Sequence, residues 1–184
     1  MSRIPLLTPE TMTFEQIRVH NAMVRGPRKS VPVGPLAVAM HRPELAEAMS
    51  ALGLVLRFNS TFEPRLREFA ILTCGRHWDC QFEWASHEGE ARKANLSETS
   101  IATLKAGGSS FAQADEQAIF DYATELLTRK FAADPTYQRL VALFGVAGAV
   151  ELTGLIGYYA MVALMLNAAE IEVPPGMPAL PPRG

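Results

Sequence analysis

Apolar positions along this chain recur every three or four residues, and the punctuation between them is that of helices. Thr13 and Gln16 fit a capping box that opens a helix through about Val24, and Gly26-Pro27 ends it. Residues 28–35 (RKSVPVGP) read as loop. Leu36 to Arg57 is helical in composition. It is interrupted at Arg42-Pro43, because a residue before proline disfavours the helical region, so two helices are expected there. Ser60 or Thr61 precedes Pro64, which suits the first turn of a helix running to about Trp78.

Cys80 to Asn95 reads as the next helix. Ser97 then caps a short one that stops at Gly107-Gly108. Ile119, Tyr122, Ala123 and Leu126 share a face of a helix from about Ala114 to Lys130. Asp134-Pro135 starts another, and an apolar helix at about 148–168 closes the bundle. No segment alternates with a period of two between turn signals. The predicted class is all-α, in one domain over residues 1–184. Residues 1–12 form an N-terminal segment and residues 173–184 a Pro-rich tail. With five prolines in twelve residues, VPPGMPALPPRG excludes regular helix and central strand. It is either a flexible end or an arm laid across a neighbour.

One stretch qualifies the picture. Leu152 to Ala169 (LTGLIGYYAMVALMLNAA) carries no charge and approaches the length of a membrane span. Glu151 and Glu170 bound it, without a Lys or Arg flank to orient it, and Asn167 interrupts its end. These features favour a buried helix of a soluble bundle, or an oligomer contact, over a span.

Composition adds exclusions. The 17 basic and 19 acidic residues leave a net charge of −2 and no basic block, so a nucleic-acid partner is not expected. Two cysteines are too few for a disulfide framework. MSRIPLLTPETM does not read as a signal peptide. A cytoplasmic location and no membrane partner are the resulting expectations.

Candidate chemistry concentrates in CQFEWASHEGEA, residues 80–91. Cys80, Trp84, His87, Ala91 and Ala94 fall on one helical face, with Gln81, Gly89, Arg92 and Lys93 opposite. Glu83 is three residues after Cys80 and four before His87, so the thiol, carboxylate and imidazole are helix neighbours. The helix before it carries Leu66, Phe69, Ala70, Thr73 and His77 on one face, and Glu68, Leu72 and Gly75 on roughly the other. Apolar residues on both faces imply burial on both. Buried Glu68 then needs a partner, and a histidine on the adjacent helix would serve. Cys74 and Cys80 are six apart, which is neither a redox nor a zinc spacing. Glu83 with His87 gives two metal ligands of the four a site needs, so no metal is expected.

RLREFAILTCGRHWDCQFEWASHEGEARKANLSETSI resembles the signature of the carboxymuconolactone decarboxylase-like family, which includes the alkylhydroperoxidase AhpD. Glu68, Phe82-Glu83-Trp84, His87 and Ala91 to Ser97 carry the likeness. HRPELAEAMSALGLVLRF and VELTGLIGYYAMVALMLNAAEIEVP are also similar to segments of decarboxylase-like members. The resemblance implies a compact all-α fold and a homo-oligomer, commonly a trimer or hexamer. The hydroperoxidase branch uses a CxxC, a following His and an earlier Glu as a thiol relay. By position Glu68 falls on the relay Glu, Cys80 on the first Cys, Glu83 on the second Cys and His87 on the relay His. One thiol alone cannot form the intramolecular disulfide of that cycle.

The decarboxylase branch implies neither thiol nor cofactor, and a carboxylated lactone as substrate. On that reading His87 is the general acid/base, and Glu68 or Glu83 orients it or holds a water. Trp84 walls the site and Cys80 lines it. An arginine forks onto the substrate carboxylate, with Arg42, Arg57 and Arg76 as candidates and Arg76 expected among the substrate-binding residues. His41 either faces the same cavity or caps the helix break at Pro43. The two competing readings are an AhpD-like hydroperoxidase and a non-enzymatic oligomeric protein that binds a small acid.

Overall fold

The computed structural model describes residues 2–27 and 29–181. Met1, Arg28 and the last three residues of the Pro-rich tail lie outside the described residues. The described residues form eight helices and no strand: α1 (Phe14–Arg25), α2 (Pro35–Ala39), α3 (Pro43–Phe58), α4 (Pro64–His77), α5 (Gln81–Lys93), α6 (Glu98–Lys105), α7 (Ala114–Arg129) and α8 (Asp134–Ala169). The all-α class expected from periodicity is the observed one.

Local signals explain most boundaries. At α1 the Gln16 amide N–H donates to Thr13 Oγ1 at 3.3 Å, and Thr13 N–H donates to Gln16 Oε1 at 2.8 Å. The other end of the Gln16 side chain donates to the Met40 carbonyl at 3.0 Å, tying α1 to the corner between α2 and α3. That corner arises because Arg42, held at φ −130° and ψ 86°, precedes Pro43 at the start of α3. Ser97 caps α6 by accepting from Ser100 N–H at 3.0 Å.

Helix α4 is the centre of the molecule, packed by α5, α7 and α8. Every residue from Glu68 to Gly75 is buried, as expected of a helix apolar on both faces. Its lead-in is fixed from α8. The Glu151 carboxylate accepts from the Thr61 N–H at 3.0 Å and from the hydroxyls of Ser60 and Thr61.

One expectation is corrected and two are narrowed. Helix α8 is not buried all round. It loses helical geometry at Gly145 (φ 70°, ψ 175°) and buries one side, through Leu152, Leu155, Ile156, Tyr159, Val162 and Leu166. Val150 and Leu164 are exposed, so its other side remains bare apolar surface. By length and composition alone, α8 is long and apolar enough to cross a membrane. His41 neither faces the cavity nor caps the break: it is exposed, and its Nε2–H donates to the Pro5 carbonyl at 2.9 Å. The described part of the tail is not a loose end but docks on its own chain. Leu180 N–H donates to Gln81 Oε1 at 2.8 Å, Gln81 Nε2 donates back to the Leu180 carbonyl at 3.4 Å, and the Leu180 side chain is buried.

Candidate active site

A tight turn sets α5 beside α4. Asp79 takes a left-handed φ of 46°, which a short polar side chain tolerates. Cys80 N–H donates to the Gly75 carbonyl at 2.8 Å. This fold-back brings His87 level with Glu68, nineteen residues earlier in the chain.

His87 sits between two carboxylates. Its Nδ1 lies 2.6 Å from Glu68 Oε2 and its Nε2 lies 3.0 Å from Glu83 Oε1. All three residues are at least 95% buried. An ionised carboxylate only accepts hydrogen bonds, and a neutral imidazole has one N–H. Carboxylates against both nitrogens favour the doubly protonated imidazolium form of the ring. Burial pushes the His87 pKa down, but the charges and hydrogen bonds of Glu83 and Glu68 overcome it and raise it to about 9. Burial pushes the Glu68 carboxyl up. The His87 bond and charge, with Arg57 and Arg67 nearby, outweigh that and hold it below its ordinary value.

The triad opens on a cavity of about 130 Å³, which Glu83, Ser86 and His87 line together with Arg57, Tyr158 and Tyr159. Val31 and Val33 of the loop before α2, and Pro35 at the start of α2, form its rim with Phe82. Gly34 is required there: its φ is 53°, and a Cβ would lie 2.5 Å from the Phe82 ring. The volume falls below the roughly 300–1,000 Å³ typical of drug-sized ligands, which suits a single small ring. Among the described residues no group of three or more His, Cys, Asp or Glu is arranged to hold a metal ion.

The structure brings together Glu68, Glu83 and His87 but disperses the rest of the expected set. Trp84 does not wall the cavity. It is fully buried on the α6 side, where its indole N–H donates to Glu88 and the Lys105 ammonium lies 6.0 Å from the ring centre. Cys80 does not line the cavity either; it is the buried N-cap residue of α5. Arg76 pairs with Asp79 across the α4–α5 turn. Arg42 is exposed beside Glu44. Of the three arginines considered, Arg57 is on the cavity. Both cysteines are buried without a disulfide, and burial together with the Glu83 charge pushes the Cys74 thiol up to about 12.

Sequence reasoning missed Tyr158, Tyr159 and the rim loop. Paired tyrosines inside an otherwise aliphatic helix were the available signal, because a buried tyrosine needs a place for its hydroxyl.

Residues 43–125 match the Carboxymuconolactone decarboxylase family. The match covers the central part of the chain, from α3 into α7. It contains Arg57, Glu68, Glu83 and His87, and ends before the cavity tyrosines of α8. A crystal structure described as the alkylhydroperoxidase AhpD core, an uncharacterized peroxidase-related protein from Ralstonia eutropha JMP134, superposes with a TM-score of 0.74. The identity is 14%, over 95% of this chain and 93% of that one, so the likeness is one of fold. Comparison with curated proteins gives no match. The chain thus has the AhpD-like helical fold, with a central segment that matches the carboxymuconolactone decarboxylase family.

Proposed function

We propose that the cavity is the active site of a decarboxylase-like enzyme acting on a small carboxylated lactone of the 4-carboxymuconolactone type, in the breakdown of aromatic acids. The observation that carries the reading is His87, held between Glu68 and Glu83 at a cavity it shares with Arg57. The Arg57 guanidinium pairs with the substrate carboxylate. The carbon–carboxylate bond breaks, CO2 leaves, and the bonding electron pair delocalises into the unsaturated lactone as a dienolate. His87 delivers the proton that the ring carbon needs. Glu68 anchors Nδ1 from the buried side. Glu83 holds Nε2 at the cavity and yields it to the substrate carbon. Two carboxylates keep the acid charged at neutral pH, which suits a proton donor.

CO2 release from 4-carboxymuconolactone tests this. Wild-type protein should release it and His87→Ala should not. Equal release by both would remove His87 from the reaction, and none from either would sink the substrate assignment.

The peroxidase-related description of the structural neighbour supports a second reading, thiol-dependent hydroperoxide reduction. Two buried thiols, one of them poorly ionisable, disfavour it. It predicts peroxide turnover that Cys80→Ser abolishes. A non-enzymatic acid-binding role instead predicts ligand retention in His87→Ala and no turnover of any lactone.

A further inference from the structure

Three tyrosines are buried on α7 and α8, and two have protein partners for their hydroxyls. Tyr122 Oη pairs with Thr153 Oγ1 at 2.8 Å, and Tyr158 Oη donates to the Met49 carbonyl at 3.1 Å. Tyr159 differs. The residue is 2% exposed and lines the cavity, and among the described residues its hydroxyl makes no hydrogen bond. It is also not among the sealed side-chain polar atoms that lack a partner, so it keeps contact with the cavity space. With no protein partner to give up, this hydroxyl is available to bond whatever occupies the cavity.

Its surroundings say what kind of occupant that is. The Tyr159 ring stands edge-on to His87, with centroids 5.5 Å apart, and edge-on to Tyr158 at 5.4 Å. Both contacts fix its orientation. Arg57 lines the same cavity. Burial and the charges of Glu83 and Glu68 keep the phenol protonated well above its ordinary range, so it is a donor and not a base. A rigid neutral O–H beside an imidazolium is the arrangement that stabilises negative charge as it develops on oxygen.

We infer that Tyr159 donates a hydrogen bond to the enolate oxygen of the bound ring, while Arg57 holds the carboxylate. The substrate class is then narrowed to ring acids whose carbanion delocalises onto a carbonyl oxygen. This inference rests on the acid-assisted reading of the cavity proposed above, and it adds a residue beyond the matched family segment.

Two small anions separate the roles. Tetronate is a five-membered lactone that is already an enolate at neutral pH. 2-Furoate has a similar ring and a carboxylate but no enolate oxygen. Calorimetric titration of the full chain should show that Tyr159→Phe weakens tetronate about 10–100-fold and changes 2-furoate by less than about two-fold. Arg57→Met should weaken both. If the lactone is turned over, Tyr159→Phe should lower kcat about 100-fold with KM nearly unchanged. Equal loss of both anions in Tyr159→Phe, no loss of either, or no tetronate binding by the wild type would overturn the inference. Tyr159-dependent tetronate binding without CO2 release would instead sink the decarboxylase reading and leave the enolate site standing.

Discussion

His87 is the residue at which chemistry and stability meet. Its folded pKa of about 9 lies above the ordinary histidine value of about 6.5. Its ion pairs therefore stabilise the fold fully below about pH 6.5, and that contribution is lost as pH rises through about 9. Urea unfolding should show a stability gap between wild type and His87→Gln that is wide at about pH 6 and narrow at about pH 10. At the acid end the sign reverses for Glu68, whose lowered pKa contributes stability that disappears as pH falls through it. In turnover, the proton-donor form is depleted above about pH 9. Glu68→Gln removes one of the two charges holding the proton on His87. The alkaline limb of the rate profile should then shift to lower pH, and an unmoved limb would mean that Glu68 does not set the charge state.

At the scale of elements, two connections hold the cavity in shape. The bend from α3 into α4 depends on Glu151 of α8, which gathers the Ser60 and Thr61 donors into one carboxylate. Glu151→Gln keeps the shape and loses the charge, and should cost about 1–2 kcal/mol in urea unfolding. The rim loop depends on Gly34. Gly34→Ala places a left-handed backbone under strain of about 1 kcal/mol and pushes on Phe82. Weakened ligand binding alongside a lower Tm is the expected pair of effects. A lower Tm with unchanged binding would show that the rim does not shape the site.

Across the whole molecule, the surface is more apolar than the charge balance suggests. Leu143, Val146, Val150 and Leu164 on α8 are all exposed, as are Leu52, Val55 and Phe58 on α3. We propose that copies of the chain cover these faces in a homo-oligomer, the trimer or hexamer that the family resemblance implies. Sedimentation should then give a multiple of 20.1 kDa, and Val150→Asp should shift it toward the single-chain mass. A single-chain mass for the wild type would overturn the proposal.

The helical class, the capping box at Thr13, the break at Pro43 and the cap at Ser97 were all legible in sequence, because each depends on neighbours within four residues. So was the adjacency of Glu83 and His87, which is one helical turn. The need of Glu68 for a partner followed from its place on a helix apolar all round, though only the turn at Asp79 decided that His87 is level with it. Other parts depend on how helices rotate about their own axes when packed, which local periodicity does not specify. That rotation sent Trp84 toward Glu88 and Lys105 and away from the cavity, left Cys80 at a buried cap, and spent Arg76 on Asp79. It also chose Arg57 over the other arginines and carried Tyr159, seventy-two residues beyond His87, to the edge of its ring.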